Sequence, residues 1–316
     1  MHSAKRKHGR KSEVSLKAGP HRSWVRHPTV RALLSALLVL HPSRPALAWG
    51  ERGHRIVNAT AVENLPEPLR SYFRTWKAFL IEHASDPDLL GREDPMERPH
   101  HYTDVEAYDS FPFRNFQRQF VTQRLAPPPA GLPHGDSIWQ IERHTLRLAE
   151  ALRRHRWDDA DHAALFLAHY AADLTQPLHT VINYDGQLTG QNEIHARFEV
   201  GLVNALPDGW ELHPAPPVYE ARLRARIFEE MIASFSYRNV IFASDNIAVA
   251  GRNYLDPQYA LAFRNLTGLL VRKRLEAAAS FVGSLWYTAW VRAGKPAMRS
   301  LPAQGVVGGV PLRSFP

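Results

Sequence analysis

Apolar residues recur every three or four positions along most of the chain, a spacing that places them on one face of an α-helix. Helices are predicted over residues 53–64, 67–83, 138–155, 158–176, 191–205, 217–236 and 257–293. Pro66 and Pro177 lie where the first and the fourth of these helices are expected to end, since proline interrupts a helix. No segment shows the apolar–polar alternation of a β-strand. The pattern therefore predicts an all-α fold.

Two segments depart from this regular pattern. Residues 105–136 are rich in aromatic residues and proline, and we interpret them as a long surface excursion between helices. Ser137 and Gln140 have the spacing of a capping box, which predicts that the next helix starts there. Residues 294–316 contain glycine, proline and serine and are predicted to form a flexible tail.

The distribution of charge changes the impression given by the composition. The 316 residues include 39 Lys and Arg against 31 Asp and Glu, and a formal net charge of +8 suggests a surface that binds nucleic acid. Residues 1–48, however, hold ten of the basic residues and one of the acidic ones, so 29 basic and 30 acidic residues remain after them. The part of the chain after residue 48 is thus nearly neutral, and its charge does not indicate a broad polyphosphate-binding surface.

Residues 1–48 have the three parts of a signal peptide with a long basic n-region. The apolar run 32–40 is too short to span a bilayer, which takes about 20 residues. It is followed by Ala46-Leu-Ala48, a typical cleavage signal. An uncleaved anchor and a disordered basic tail are the alternatives, but the three-part pattern favours export, with a secreted or periplasmic chain cleaved near Ala48. The mature chain would begin at Trp49 and have no transmembrane segment.

The chain contains no cysteine, so an exported form cannot use disulfides and must rely on its core or on bound metals. Histidine and carboxylate side chains are the ligands that suit zinc when thiols are missing. His169 and Asp173, and likewise His195 and Glu199, lie four residues apart and would share one face of a helix. His179 follows the first pair and could turn toward the second. One such pair is common on solvated surfaces, but two pairs with a histidine between them predict a metal site.

Two motifs in the chain resemble the superfamily of zinc-dependent phospholipases C and single-strand-specific nucleases. The first is His-x3-Asp-x5-His, with Gln-Pro-Leu before its last histidine, at residues 169–179. The second is Trp-Gly-x-x-Gly-His at residues 49–54. The resemblance implies a secreted phosphodiesterase with a single all-α domain over residues 49–293, whose helices surround a cluster of three zinc ions.

The resemblance also implies the ligands of each ion. One ion would be bound by Asp88, His101, His169 and Asp173. The second would be bound by His179, His195 and Glu199. The third would be bound by the α-amino group and carbonyl of Trp49, by His54 and by the other oxygen of Asp173, which would bridge two ions. The amine of Trp49 is free only after the leader has been removed, and its reference pKa near 8 lets a metal displace the proton.

Two of these ligands have neighbouring rivals. Asp88 is selected over Asp86 because the family has an Ala-Ser-x-x-Asp stretch here, and Asp88 would also act in catalysis by orienting the attacking water. His101 is selected over His100 because it begins a His-Tyr-x-Asp pattern. Two further residues are interpreted as orienting the ligand imidazoles: Asp104 and Asn192.

The features that separate the two branches of the superfamily point in different directions. The five-residue spacing from Trp49 to His54, and Tyr102 at a position where the nucleases stack a base, favour a nuclease. Glu199 and the short loop 180–194 favour a phospholipase C. The aromatic residue acts on substrate directly, whereas Asp and Glu both supply a carboxylate, so the first pair weighs more. We therefore predict a zinc-dependent endonuclease that prefers single-stranded DNA and RNA and uses zinc-activated water.

Two alternatives remain at the level of sequence. One is a phospholipase C that acts on phospholipid head groups. The other is a helical protein with structural zinc and no turnover. Structural zinc sites are closed and have four ligands, whereas nine ligands for three ions leave positions open, which disfavours the second alternative. No obligate protein partner is inferred.

Overall fold

The regular elements of the chain are helices. The computed structural model describes residues 49–128, 133–207 and 209–299, and no strand occurs among them, which confirms the predicted all-α fold. The α-helices are α1 (Gly50–Asn64), α2 (Leu69–Thr75), α3 (Lys77–Glu82), α4 (Asp86–Glu93), α5 (Val105–Tyr108), α6 (Arg114–Val121), α7 (Ser137–Arg153), α8 (Trp157–Thr175), α9 (Ile194–Ala196), α10 (Leu202–Asn204), α11 (Leu223–Ser236), α12 (Arg238–Val249) and α13 (Pro257–Arg292). Short 3-10 helices cover Arg98–His101 and Pro177–Thr180, and a π-helical turn covers Arg197–Gly201.

Helix α8 lies in the core and carries part of the predicted site. It packs against α7 and α13, and α13 also packs against α1. Every residue of α8 from Ala163 to Thr175 is buried, as expected for a helix that is mostly apolar on all sides. His169 and Asp173 are ionisable residues inside this buried stretch. Burying an ionisable group is costly unless it is paired or binds a metal, so both residues need partners.

A buried ion pair holds the C-terminal end of α8. Arg274 of α13 is 5% exposed, and its Nε donates to the carbonyl oxygen of Thr175 at 2.8 Å. Its Nη2 donates to Glu230 at 2.5 Å and to the hydroxyl of Ser234 at 2.8 Å, both on α11. These contacts join three helices directly before the turn that carries His179. The position of that histidine therefore depends on the core.

The interpretation of residues 105–136 as a surface excursion was wrong. The segment contains α5 and α6, and its residues Phe113, Phe116 and Phe120 are buried. The rings of Phe116 and Phe120 contact Phe228 of α11, with centroids 5.6 and 6.3 Å apart. Burial of three aromatic rings stabilises this segment enough to order it against the core.

Several helix boundaries also differ from the predicted ones. The predicted helix 67–83 is divided at Trp76 into α2 and α3, and the helix predicted from residue 217 begins at Leu223. Residues 191–205 are helical only from Ile194, with the π-helical turn in the middle. Four α-helices, α4, α5, α6 and α12, were not predicted. These short helices are defined by packing against other elements rather than by a long apolar repeat.

The start of α7 uses a different residue from the predicted cap. Asp136 occupies the cap position, and the amide of Gln140 donates to its Oδ2 at 2.7 Å. Ser137 is the first helical residue, and its hydroxyl lies 2.8 Å from that of Thr103. The observed pair at the start of α7 is therefore Asp136 with Gln140, whereas the predicted pair was Ser137 with Gln140.

Residues 1–48 and 300–316 lie outside the described residues, so the signal peptide and most of the flexible tail remain sequence predictions. The described residues belong to one compact unit of the chain. None of the helices among them is both long and apolar enough to cross a membrane.

Candidate metal centre

Three groups of buried histidine and carboxylate side chains lie around the C-terminal half of α8. In each group the atoms that could bind an ion all lie within 4.8 Å of one another. The first group is Asp88, His101 and His169, the second is His179, His195 and Glu199, and the third is His54, His169 and Asp173. The structure thus brings together all eight side chains that were predicted to bind zinc.

The ligand atoms of the first group, together with Oδ2 of Asp173, have the spacing of a tetrahedral metal site. Nδ1 of His101 lies 3.1 Å from Nε2 of His169, 3.0 Å from Oδ2 of Asp173 and 3.5 Å from Oδ1 of Asp88. Nε2 of His169 lies 3.4 Å from the same oxygen of Asp173 and 3.5 Å from that of Asp88. Zinc bonds of about 2.0–2.1 Å in tetrahedral geometry separate the ligand atoms by about 3.3–3.4 Å. These four atoms are therefore placed to bind one ion.

The second group is a triangle of similar size. Nε2 of His195 lies 3.0 Å from Nε2 of His179 and 2.9 Å from Oε2 of Glu199, and the third side of the triangle is 3.7 Å. His195 and Glu199 are carried by α9 and the π-helical turn. The side-chain amide of Gln176 donates to Oε2 of Glu199 at 2.9 Å and so orients this carboxylate. Three protein ligands leave one position of a tetrahedral ion open to substrate or water.

Backbone carbonyl groups select the ring nitrogen that each of three histidines presents. Nδ1 of His169, His179 and His195 donates to the carbonyl oxygens of Ala84, His101 and Tyr184, at 2.8, 2.7 and 3.2 Å. In its neutral form each ring then has a lone pair at Nε2, directed into its group. In this form neither Nε2 carries a hydrogen, so the facing Nε2 atoms of His179 and His195 cannot form a hydrogen bond with each other. A proton or a metal ion must lie between them.

Asp173 lies between the first and third groups. Its Oδ2 faces His101 and His169, whereas its Oδ1 lies 3.2 Å from Nε2 of His54. The His54 ring also stacks on that of His169, with centroids 4.0 Å apart. Each carboxylate oxygen therefore faces a different group, so Asp173 would be shared if both groups held an ion.

Several buried atoms of these groups have no hydrogen-bond partner among the described residues, although buried polar atoms are normally paired. They are Nδ1 and Nε2 of His54, Oδ2 of Asp88, Nε2 of His101, Oδ1 of Asp173 and Oε1 of Glu199. Nε2 of His54 and Oδ1 of Asp173, which face each other in the third group, are among these atoms, and ligand atoms of a metal show this pattern when only protein partners are counted. The residues present therefore fit a bound metal cluster.

The electrostatic environment favours positive charge. Burial by itself would lower the pKa of His169, but the carboxylates of Asp173 and Asp88 outweigh it and raise that pKa to about 9. Burial of Asp173 opposes its ionisation, yet His169, His101 and His54 together hold its pKa well below the usual value. Without a metal, protons on histidine compensate the buried carboxylates. Metal binding at these groups must displace such protons.

Trp49 is fully buried beside the second group. Its backbone nitrogen donates to Oε2 of Glu199 at 3.2 Å, and its indole nitrogen donates to the carbonyl oxygen of Ala172 at 2.9 Å. Gly53 makes this position possible, since a Cβ there would lie 2.7 Å from Cβ of Trp49. The Trp-Gly-x-x-Gly-His motif thus packs its tryptophan against α8. The contact of the Trp49 nitrogen is with Glu199, whereas the resemblance implies a role in binding the third ion with His54.

The neighbouring rival residues have other partners. Asp86 pairs with His83, with 2.6 Å between Oδ2 and Nδ1, whereas Asp88 joins the first group. His100 lies 2.7 Å from Asp136 through its Nδ1 and does not join a group.

The two residues that were interpreted as orienting imidazoles have different contacts in the structure. Asp104 lies 3.6 Å from the ring of His134, which is not a candidate ligand, and burial raises the pKa of its carboxyl to about 7. The carbonyl oxygen of Asn192 accepts a hydrogen bond from Arg197 at 2.5 Å. Neither contact orients a candidate ligand.

Tyr102 directly follows His101 and is partly exposed. Its hydroxyl donates to the carbonyl oxygen of Pro133 at 3.1 Å. Gly135 passes against its ring so closely that a Cβ there would lie 2.6 Å from Cδ2 of the tyrosine. The ring, which directly follows the candidate ligand His101 in the sequence, is therefore packed against the chain at residues 133–135.

Gln176 and Glu97 contact the candidate ligands but were not predicted as site residues. Gln176 could have been found, because it belongs to the Gln-Pro-Leu-His part of the motif at residues 169–179. Glu97 has no such signal. It precedes His101 by four residues, and only the fold shows that its carboxylate approaches the ring of that histidine.

The fold and the site define an all-α protein with three adjacent His and carboxylate groups that could hold metal ions. Residues 49–212 match the family model described as S1/P1 Nuclease, and the chain belongs to this family of metal-dependent phosphodiester hydrolases. The match begins at Trp49 and includes every candidate ligand. A comparison with curated proteins found no significant match.

Proposed function

We propose that this protein is an exported zinc-dependent endonuclease that cuts single-stranded DNA and RNA. The observation that carries the proposal is the set of three buried ligand groups around the C-terminal half of α8, two of which share His169. Membership of the nuclease family supports hydrolysis of phosphodiester bonds. Zinc as the metal, three ions and the preference for single strands are parts of the proposal.

Zinc ions in such groups supply an activated water nucleophile and neutralise negative charge on the phosphate. The protein's own residues would hold and orient the reactants. Oδ2 of Asp88 has no hydrogen-bond partner among the described residues, so it can accept a hydrogen bond from the attacking water. Gln176 keeps Glu199 in place through its amide. Because the chain after residue 48 is nearly neutral, the metal centre would provide most of the attraction for phosphate.

Tyr102 supports single-stranded nucleic acid as the substrate. It directly follows the candidate ligand His101, and its ring is held by Gly135 and Pro133, so it can stack on a base without losing much freedom. A base in a duplex is already stacked and paired and cannot lie on this ring. We therefore expect purified protein to cut single-stranded DNA or RNA faster than duplex, and both faster than phosphatidylcholine.

Replacement of Tyr102 by alanine tests the role of this ring. The loss of one stacking contact, about 1–3 kcal/mol, should raise KM for single-stranded nucleic acid about 5- to 150-fold. Hydrolysis of bis-p-nitrophenyl phosphate, which has no base, should hardly change. The matched control is Tyr102→Phe, which keeps the ring and removes only the hydroxyl bond to Pro133. An equal loss with both substrates would show that the ring supports the metal rather than the base.

Phospholipid head groups are the alternative substrate, favoured by Glu199 as a ligand and by the short loop 180–194. The same purified protein should be assayed on single-stranded DNA, RNA and phosphatidylcholine under one set of conditions. Efficient hydrolysis of phosphatidylcholine, with single strands left uncut, would replace the nuclease proposal by the phospholipase one.

The start of the mature chain provides a separate test. Trp49 is fully buried, and its nitrogen contacts the carboxylate of Glu199. A free amine at this position has a lone pair for a metal, whereas a peptide nitrogen does not. A form that keeps residues ahead of Trp49 should therefore bind less zinc than a form that begins there, and should lose most of its activity.

N-terminal sequencing of the exported protein, with zinc analysis of both forms, checks this expectation. The control form begins at Trp49 and is otherwise identical. If a form that still carries leader residues up to Ala48 had the same zinc content and the same activity, this result would contradict the role of the amine.

A further inference from the structure

His101 presents the opposite ring nitrogen from three of the other candidate ligands. His169, His179 and His195 each direct Nε2 into their group, with Nδ1 bonded to a backbone carbonyl. His101 instead directs Nδ1 toward His169 and Asp173, and its Nε2 points away from them, toward Glu97. We propose that Glu97 is a positioning residue that holds His101 in the tautomer with hydrogen on Nε2, so that Nδ1 can bind the metal. The inference rests on the metal centre of the proposed function.

Glu97 is placed to accept this hydrogen. Its side chain is buried, and Oε1 lies 3.8 Å from Nε2 of His101. That nitrogen has no hydrogen-bond partner among the described residues. A hydrogen bond between nitrogen and oxygen spans about 2.7–3.2 Å, so a shift of under about 1 Å in either side chain forms the bond.

The position of the Glu97 carboxylate is defined by the surrounding structure. The carbonyl oxygen of Glu97 accepts a hydrogen bond from the backbone nitrogen of His100 at 2.9 Å, in the turn that leads into the 3-10 helix carrying His101. Its Oε1 also accepts a hydrogen bond from the hydroxyl of Tyr170, a buried residue next to His169 on α8. Tyr170 therefore links the carboxylate to the helix that carries two ligands.

The chemistry explains why a carboxylate suits this position. A neutral imidazole has one N–H, and if His101 carried it on Nδ1 no lone pair would face the first group. A carboxylate next to Nε2 stabilises the other tautomer and makes the ring a stronger donor to the metal. Three of the four other ligand histidines obtain their selection from backbone carbonyls, which no side-chain substitution removes. His101 depends on a single side chain instead.

Substitution of Glu97 by glutamine tests the inference, because the side chain keeps its size and loses its charge. In the zinc-loaded protein, chelator competition should show the affinity for one of the ions reduced about 10- to 100-fold, with the others unchanged. Glu97→Ala should have at least the same effect. The matched control is Tyr170→Phe, which keeps the carboxylate and should weaken zinc binding less than either variant.

The tautomer itself can be observed without metal. Nitrogen-15 chemical shifts of the His101 ring in the metal-free wild type should show hydrogen on Nε2, whether or not Nδ1 is also protonated toward Asp173, and in Glu97→Gln the fraction of rings with hydrogen on Nε2 should fall. Unchanged zinc affinities in Glu97→Gln would overturn the inference. So would an equal loss of affinity for every ion together with a lower melting temperature of the metal-free variant, since this indicates general destabilisation.

The two proposals can fail separately. If the wild type binds no zinc at all, the proposed function is wrong, while the ring shifts of His101 in the wild type and Glu97→Gln still decide whether Glu97 selects the tautomer. If the wild type binds zinc and hydrolyses single strands but the variant behaves identically, only the inference about Glu97 is wrong.

Discussion

Removal of the metal with a chelator should abolish phosphodiester hydrolysis and lower the melting temperature by roughly 8–16 °C for each tightly held ion. An ion present at about 1,000 times its dissociation constant stabilises the folded chain by about 4 kcal/mol. For a protein of this size, each kcal/mol shifts the melting temperature by about 2–4 °C. The chain has no disulfide to compensate, and without metal the carboxylates of Asp173 and Glu199 remain buried among histidines.

The measurement is a melting curve of the protein before chelation, after verified metal removal and after zinc is returned. Zinc should restore both the melting temperature and the activity. Magnesium is the control ion, because it prefers oxygen ligands in octahedral geometry and should not restore either. A melting curve that stays unchanged after complete metal removal would contradict a metal centre in the core.

Replacement of Asp173 by asparagine should remove more zinc than the same change at Asp88. Each oxygen of Asp173 faces a different group, at 3.2 Å from His54 and 3.0 Å from His101. Asparagine keeps the shape but replaces one carboxylate oxygen by an amide nitrogen and removes the charge. We expect Asp173→Asn to lose about two ions and nearly all activity, and Asp88→Asn to lose about one, since Asp88 joins only the first group.

Elemental analysis of the two purified variants distinguishes the roles of the two carboxylates. Both substitutions are isosteric, so Asp88→Asn is a matched control for the general effect of removing a buried charge. The melting temperatures of the metal-free variants and of the metal-free wild type measure separately what each carboxylate contributes to the stability of the chain without metal. Equal zinc loss in the two variants would show that Asp173 does not bridge.

Some parts of the site could be predicted because they depend on local geometry. His169 with Asp173, and His195 with Glu199, are each four residues apart, so their helices place both members of a pair on one face regardless of the rest of the fold. The apolar spacing likewise predicted α1, α7, α8 and α13 close to their observed bounds. The motif at residues 49–54 indicated Trp49 as a ligand, and the structure places that residue in the core beside Glu199.

Other features depend on contacts between distant parts of the chain. The aromatic rings of α6 were assigned to the surface because the segment around them is rich in proline, and only packing against α11 shows that they are buried. From the sequence, only the resemblance could select Asp88 over Asp86 as the metal ligand. In the structure the carboxylate of Asp86 pairs with His83 instead. Local spacing cannot decide such choices, since the competing residues are almost adjacent.

The sequence by itself determined the all-α class and the donor atoms available for a metal, because helical periodicity and side-chain chemistry are local properties. Only the tertiary structure decided that Gln176 holds Glu199 and that Glu97 approaches His101. The first group joins residues from α4, the 3-10 helix at Arg98–His101 and α8, more than 80 positions apart at its ends. Distances of 3.0–3.5 Å among such residues arise from the packing of the core and are not encoded in any one segment.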